Sequence, residues 1–537
     1  MKWQRCVVIA VALAVLFLFA GSLQASPRSG GTFNWVAPYG GDFSSLDPHL
    51  TERTQDFLAL ININSGLYKW SAAQKKPVLD LAKSVSVSED GLTYTYKLRE
   101  NVKFHNSRPL TVDDVIWSYE RIMDSETPSP SARFVRIIQG AKAYEAGKAD
   151  SIAGLVKVDD YTLQLTLENP LDPAYSLFQP GTAILPKEEV ESRGEAFEVN
   201  PVGCGPFQFK SWTKGSELVM EKFDDFYLEG RPYIDKLVYN VMPEGAARDV
   251  GFRTKELDAT IVGSAQYPAY LKDPVISENL VEVAEMYTRH MGFNKQFEPF
   301  SDKRVRKAIN YAINEELIID KFLKGKAYPA ISFLPNSSTG FNEDLEPYGY
   351  DVEKAKQLMK EAGYEDGFEF TCIATNSKSY GTGILETLIP FLKAINIKLN
   401  IQQLEGAALA ERIMETAEFD AYIWSIESGP DPLSTLYRFH SENPRTAGNY
   451  VAYSDPEFDA AIDKAEEISD TEKQIELLQK ADAIFHEDAP MWFFNYNKAI
   501  IAHHPWVHGI EPVAIEHMYQ DFTEIWVDED SPRANAQ

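Results

Sequence analysis

A strand end that carries an aromatic ring and a carboxylate is the first feature of this sequence that could bind a ligand. Residues 419–424 form a short apolar run that ends at Trp424, and Glu427 follows three residues later. Residues 429–432, Gly-Pro-Asp-Pro, then form a turn in which helix is disfavoured. An indole ring can stack on a ligand, and a carboxylate can pair with a cation. The pattern predicts a ligand contact at Trp424 and Glu427; the alternative is a buried strand followed by an ordinary surface turn.

Four further residues are candidates for ligand contact. Tyr380 and Gly381 precede a predicted helix whose free N–H groups could receive a ligand carboxylate. Trp35 could stack on a ligand from the other side of a cleft, although large aromatic residues more often lie in a core. Asp431 is retained as a candidate, but its position before Pro432 favours capping of a helix over residues 432–437.

These candidates need a sheet to position them, and the second half of the chain supplies one. Strands alternate with helices, which predicts an α/β lobe with a largely parallel sheet. Ligands bind beyond the carboxyl ends of such strands, so Asn376–Gly381 and Trp424–Asp431 should share one rim. The predicted elements are strands 368–374, 397–401 and 419–424 and helices 383–395 and 407–416.

The first half has strong local patterns of its own. Residues 84–88 and 92–98 alternate apolar and polar side chains around Asp90-Gly91, which predicts a hairpin. Thr111 with Asp114 forms a capping-box pair ahead of an apolar stripe at helical spacing. Later helix starts are predicted at Asp302, at Asp351 and at a second capping box, Ser454 with Glu457.

The N-terminus and the charge limit the possible functions. Residues 1–25 have a basic start and an apolar run, typical of a cleavable signal peptide. Its removal takes away Lys2 and Arg5, so the formal charge of −28 becomes −30. Such acidity disfavours nucleic acid as a partner, because phosphate binding requires a basic face. Only Cys204 and Cys372 remain, and the sequence leaves open whether they form a disulfide.

Catalytic and metal-binding patterns are missing from the sequence. It contains no Gly-x-Ser-x-Gly, no His-Glu-x-x-His and no Walker loop. His503, His504, His508 and His517 do not have the spacing of a zinc site. We therefore expect neither a cofactor nor a metal, and a secreted hydrolase such as a glycosidase is the alternative from a different functional class.

Several motifs resemble the family 5 extracellular solute-binding proteins, which include the oligopeptide-, dipeptide- and nickel-binding receptors of ABC importers. The resemblance begins in residues 81–99, 102–106 and 109–115. It continues at Asn200–Phe207, which matches Asn-Pro-x-Gly-Thr-Gly-Pro-Phe/Tyr with Cys204 in place of Thr. Later segments follow in the expected order, so nearly the whole mature chain is covered.

The resemblance implies an α/β, two-lobe fold like that of periplasmic binding proteins of type II, cluster C. An extra α+β subdomain is expected within the first lobe. The implied division is lobe I from residues 26–60, 190–288 and 498–537, the inserted subdomain from 61–189, and lobe II from 289–497.

The resemblance also implies a function without catalysis. A monomer in the periplasm would capture short peptides and deliver them to an ABC permease and its ATPase subunits in the inner membrane. Peptide-binding relatives hold the ligand's α-ammonium with an acid shortly after the strand Trp; here that acid is Glu427 rather than Asp. Dipeptide-binding relatives often have an arginine near the next helix, and residues 364–393 contain none. Sugar, opine and metal-chelate ligands remain alternatives within the family.

Overall fold

The computed structural model describes residues 26–37, 41–243, 245–468, 471–515 and 519–535. The predicted signal peptide, residues 1–25, lies outside the described residues, as does His517. Within the described ranges, no helix is both long enough and apolar enough to cross a membrane.

The strands of the described chain include two of 13 or more residues, β12 and β17. They are β1 (Thr32–Val36), β2 (Tyr68–Ser71), β3 (Lys76–Leu79), β4 (Ala82–Val87), β5 (Thr93–Leu98), β6 (Leu155–Asp159), β7 (Thr162–Thr166), β8 (Phe207–Thr213), β9 (Glu217–Lys222), β10 (Lys236–Asn240), β11 (Ala259–Ile261), β12 (Leu280–Phe293), β13 (Ala327–Pro329), β14 (Phe368–Ala374), β15 (Ile397–Gln403), β16 (Ala421–Glu427), β17 (Met491–His503), β18 (Val507–His508) and β19 (Trp526–Val527).

The helices are mostly short and connect these strands. They are α1 (Thr54–Ile63), α2 (Val112–Met123), α3 (Ala132–Val135), α4 (Ala141–Glu145), α5 (Ala174–Leu177), α6 (Lys187–Arg193), α7 (Ala246–Arg253), α8 (Tyr267–Tyr270), α9 (Glu298–Ser301), α10 (Lys303–Ala312), α11 (Glu315–Lys321), α12 (Val352–Glu361), α13 (Thr382–Lys393), α14 (Gly406–Glu411), α15 (Pro432–Tyr437), α16 (Pro456–Glu466) and α17 (Thr471–Asp488). A π-helical turn, Arg412–Thr416, continues α14.

Two separate sheets organise the first half of the chain. One has the strand order β1-β10-β9-β8, with β1 parallel to β10. The other, β4-β5-β7-β6, contains the predicted hairpin and packs against α2. The capping box at the start of α2 is confirmed, since Thr111 and Asp114 each accept a hydrogen bond from the other's backbone N–H.

The sheet of the second half is mixed rather than largely parallel. Its order is β11-β17-β12-β16-β14-β15, with β13 beside β17. Only β14 with β15 and β14 with β16 are parallel, whereas β12 pairs antiparallel with both β16 and β17. The expectation was wrong for four of the six strand pairings, because the central strands come from distant parts of the chain and not from local strand–helix–strand units.

Each face of this mixed sheet covers its own hydrophobic cluster. Ala421 and Ile423 of β16 pack with the cluster that contains α10, α12 and α13. Tyr422 packs with the opposite cluster, which contains α16 and α17. The alternation follows from the two-residue period of a strand, and it decides which β16 side chains can share a site.

Helix starts were predicted well, with one shift. Asp302 and Asp351 each accept a backbone N–H at the start of α10 and α12. The predicted Ser454 and Glu457 capping box is wrong: Asp455 is the N-cap residue of α16, and its carboxylate accepts from two backbone N–H groups. A carboxylate next to Pro at the first helical position is an equally good cap.

The structure shows that Cys204 and Cys372 do not form the disulfide that the sequence left open. Cys204 and Cys372 are both free thiols, and each is fully buried. They lie in different hydrophobic clusters, so they are packing residues of two separate cores.

Candidate ligand-binding cleft

Glu427 ends a strand rather than lying in the loop after one. The predicted strand stops at Trp424, but β16 continues to Glu427 because Ser425, Ile426 and Glu427 pair with β12. Glu427 lies opposite Tyr287. The sequence pattern missed this extension, since an alternating Ser and Glu at the end of an apolar run resemble the start of a loop.

The Glu427 side chain lines a cavity of about 460 Å³. Tyr287 and Pro430 lie beside it on the wall formed by the mixed sheet. The facing wall comes from the first half of the chain and from Tyr519 of the C-terminal segment. Its aromatic and polar side chains are Thr51, Glu52, Phe57, Ser131, Arg133, Phe134, Phe178, Gln179 and Tyr519. This volume is within the range of small-molecule sites. A cavity of about 60 Å³, lined by Asp80 and by Asp521 of the C-terminal segment, has room for only a few water molecules.

The carboxylate of Glu427 has no partner for its negative charge among the described residues. It makes no hydrogen bond or ion pair with any residue that the structure describes. The side chain is exposed to the cavity, yet protein surrounds it on most sides. This desolvation raises the pKa of Glu427, and the positive charges of Arg438 and Arg133 partly oppose the rise. A cation in the cavity would stabilise the ionised form further.

Trp424 lies on the opposite face of β16 from Glu427. Its ring is half-buried and stacks on Tyr450, with 6.0 Å between ring centroids and an interplanar angle of 24°. The structure therefore does not bring Trp424 and Glu427 together on one surface, although they are three residues apart.

The segment with Asn376, Tyr380 and Gly381 lies next to β16, as expected. It follows β14, which pairs in parallel with β16 at Ile373 and Tyr422. The expected free N–H groups at the start of α13 are largely occupied, because those of Thr382 and Gly383 donate to Thr375 and Ser377 carbonyls. Here the prediction was wrong: the loop folds back on the helix end and satisfies it.

Gly381 contributes close backbone packing. A Cβ atom at this position would lie 2.3 Å from the Thr375 carbonyl oxygen and 2.8 Å from the Ser377 nitrogen. Any side chain would therefore displace the 375–380 loop. Asn376 is exposed in this loop, and Tyr380 is half-buried.

The remaining two candidates have structural roles. Asp431 is the N-cap residue of α15 and accepts from the N–H groups of Leu433 and Ser434, as the sequence predicted. Trp35 is fully buried in the core of the first lobe against Phe33 and Phe522. The structure does not bring Trp35 to the cavity, so it offers no surface to a ligand there.

The facing wall was missed by sequence reasoning. Arg133 and Phe134 enter the cavity from α3, and the guanidinium lies 4.7 Å from the Phe134 ring centroid. Nothing in the local pattern of a four-residue helix indicates that it faces a ligand site. Only the packing of the two halves of the chain places it there.

Comparison with known proteins identifies the family. The model of the bacterial extracellular solute-binding proteins, family 5, matches residues 76–447. The chain belongs to this family. The family 5 proteins are binding proteins, and the two-lobe α/β fold expected from the sequence is confirmed.

Three family 5 relatives illustrate the similarity. The di/tripeptide-binding protein 2 of Pseudomonas aeruginosa is 30% identical over 501 residues, which cover 89% of this chain and 91% of that protein. The murein tripeptide-binding protein MppA in its unliganded open form superposes with a TM-score of 0.83 at 22% identity, covering 94% and 98% of the two chains. The periplasmic binding protein DppA of Helicobacter pylori, in complex with the peptide STSA, gives 0.66 at 26% identity, covering 94% and 99%.

Proposed function

We propose that this protein is the periplasmic, non-catalytic receptor of an ABC importer and captures short peptides. The observation that carries the proposal is the unpaired carboxylate of Glu427 in the cavity between the two halves of the chain. A peptide's α-ammonium supplies the missing partner, and a charge-assisted hydrogen bond is stronger than a neutral one.

The rest of the cavity is consistent with a peptide. Aromatic side chains on the facing wall, among them Phe134 and Tyr519, suit apolar side chains of a ligand. Glu52 and Glu427 outnumber Arg133 among the charged residues of the lining, which favours a cationic group. The relatives named above as peptide-binding proteins support the same ligand class.

The remaining candidates take supporting roles in this proposal. Asn376 and Tyr380 border the ligand on the loop beside β16, and Gly381 holds that loop against α13. Asp431 fixes the turn after Glu427 by capping α15, and Trp424 packs the back of β16.

Delivery requires partners in the inner membrane. We propose that the protein acts as a monomer, that the ligand closes lobe II (residues 289–497) onto lobe I and its inserted subdomain, and that an ABC permease with its ATPase subunits recognises the closed form.

Mass spectrometry of ligand co-purified with the protein from its native periplasm tests this function. Short peptides in the denatured eluate are the expected result. A sugar, an opine or a metal chelate in their place would overturn the peptide assignment, and conversion of added ligand into product would overturn the binding role.

A further inference from the structure

A buried arginine near Glu427 lacks the partners that its charge requires. Arg289 of β12 is 8% exposed, and its Nε and Nη1 atoms have no hydrogen-bond partner among the described residues. Its nearest carboxylate, Glu285, lies 3.8 Å from Nη2, which is longer than a direct hydrogen bond. Burial lowers the pKa of Arg289, the direction expected of a desolvated cation that is incompletely paired.

A second unsatisfied polar group adjoins this arginine. Asn495 of β17 is fully buried, and neither its amide nitrogen nor its amide oxygen has a partner in the described chain. Asn495 lies directly opposite Arg289 in the ladder, and residues so paired project from the same face of a sheet. Buried polar groups are normally hydrogen-bonded, so two adjacent residues with free donors and acceptors could receive a polar group from a ligand.

The sheet register connects this pair to the cleft. Arg289 also lies opposite Ser425, and Tyr287 lies opposite Glu427. Two residues along a strand span about 7 Å and return to the same face. Glu427 and Arg289 therefore mark two points on one surface, with the acid at the cavity and the arginine one step deeper.

The loop before α13 lies over the Arg289 side chain. The Arg289 guanidinium carbon lies 6.0 Å from the centroid of the half-buried Tyr380 ring. The N–H groups at the start of α13 are already used, as described above, so an anion arriving here would meet the guanidinium rather than the helix end.

We propose that Arg289 and Asn495 form the anion-binding part of the ligand site and receive a carboxylate of the ligand. This inference rests on the proposed function and makes it more specific. A carboxylate accepts from the guanidinium and from the Asn495 amide, while the ligand's ammonium pairs with Glu427. Two extended residues also span about 7 Å, so the strand spacing that separates Glu427 from the position opposite Arg289 suits a peptide of two or three residues.

Calorimetric titration of ligand-stripped protein tests the anion subsite. Wild type, Arg289→Met and Arg133→Met, which removes the arginine of the cavity lining, are each titrated with a dipeptide as free acid and as C-terminal amide. Wild type should bind the free acid about 10- to 100-fold more tightly than the amide, the range of one charged hydrogen bond. Arg289→Met should abolish this preference, and Arg133→Met should keep it.

Retained binding of the amide shows that Arg289→Met is folded, and Arg289→Lys should restore part of the preference. A third ligand, an amidated dipeptide with an Asp side chain, shows which carboxylates the subsite accepts: if it binds as tightly as the free acid to wild type but not to Arg289→Met, a side-chain carboxylate can replace the C-terminal one. Equal loss of free acid and amide in Arg289→Met, or no preference in wild type, would overturn the proposal.

Failure of the proposed function would give a different result from failure of the anion subsite. If wild type binds no peptide, the peptide role fails, and the subsite is judged by acetate alone. Acetate should then raise the unfolding temperature of wild type but not of Arg289→Met; equal effects on both would remove the subsite as well.

Discussion

At the scale of single residues, the cleft is defined by charges that the folded chain leaves unpaired. Glu427 faces the cavity without a partner, and its pKa is raised by desolvation. An ionised group with a raised pKa destabilises the fold above that pKa, because the folded state prefers the proton. A ligand ammonium removes this penalty, so the same acid that costs folding energy contributes to binding.

Peptide affinity should depend on pH through Glu427. The ligand's amino group, with a pKa near 8, is protonated at neutral pH, and it pairs with the deprotonated form of Glu427. As the pH falls, affinity should begin to weaken above the usual range of a Glu side chain, because the pKa of Glu427 is raised. Well below that pKa the loss should approach about tenfold per pH unit. Calorimetry across pH 4 to 7 measures this slope.

Glu427→Gln is the control for the pH profile. Glu52, Arg133 and Arg438 are the other charged groups around the acid and are unchanged in this variant. Its affinity should be low and nearly independent of pH. A slope equal to that of wild type would assign the titration to another group.

Residue identities were predictable only where the signal is local. The cap role of Asp431 follows from its position before Pro432, and Glu427 is a candidate because it comes three residues after Trp424 at the end of an apolar run. Arg289 could not be found this way, because Tyr380 and Asn495 are distant in sequence and only the sheet register brings them near it. Trp35 was misplaced because an aromatic ring suits a core as well as a ligand.

At the scale of elements, the loop between β14 and α13 sets the geometry around Arg289. It is held by hydrogen bonds from Thr382 and Gly383 to its own carbonyls, and it packs against Gly381 without room for a side chain. The loop thus presents Tyr380 in one position over the guanidinium.

Gly381→Ala should displace this loop. Overpacking of this kind costs about 1–3 kcal/mol of unfolding free energy. We also expect weaker peptide binding, since Tyr380 and Asn376 would move. Denaturant unfolding and calorimetry measure the two effects.

Gly406→Ala is the matched control, because a Cβ atom at that helix start would have no other atom within 4 Å. It should be neutral or slightly stabilising. Equal behaviour of the two variants would show that the loop is not held through Gly381.

Helices and strands with a clear hydrophobic period were predictable from the sequence, but the strands that they pair with were not. β14 was predicted to the residue, and α13 to within two residues at each end. The antiparallel pairing of β16 with β12 was missed, since periodicity describes the faces of a strand and not its neighbour.

At the scale of the whole molecule, β12 and β17 join the two halves of the protein. The C-terminal part of β17 pairs on one side with β11, whose Ala259 belongs to the hydrophobic core around β1, and on the other side with the N-terminal part of β12. The domain limits expected from the family, 288/289 and 497/498, fall inside these strands. The β12–β17 ladder also shifts register between Ala284 and Thr288. We propose that this stretch is the hinge of lobe closure.

The proposed function depends on Glu427, which should bind the ammonium of a short peptide inside this cleft. The direct test is calorimetric titration of ligand-stripped wild type with one dipeptide in free and N-acetylated form, repeated with Glu427→Gln. We expect saturable one-to-one binding of the free peptide. Acetylation or Glu427→Gln should each weaken it about 10- to 100-fold, with little further loss when combined. Equal affinity of wild type for the free and acetylated peptides would contradict it.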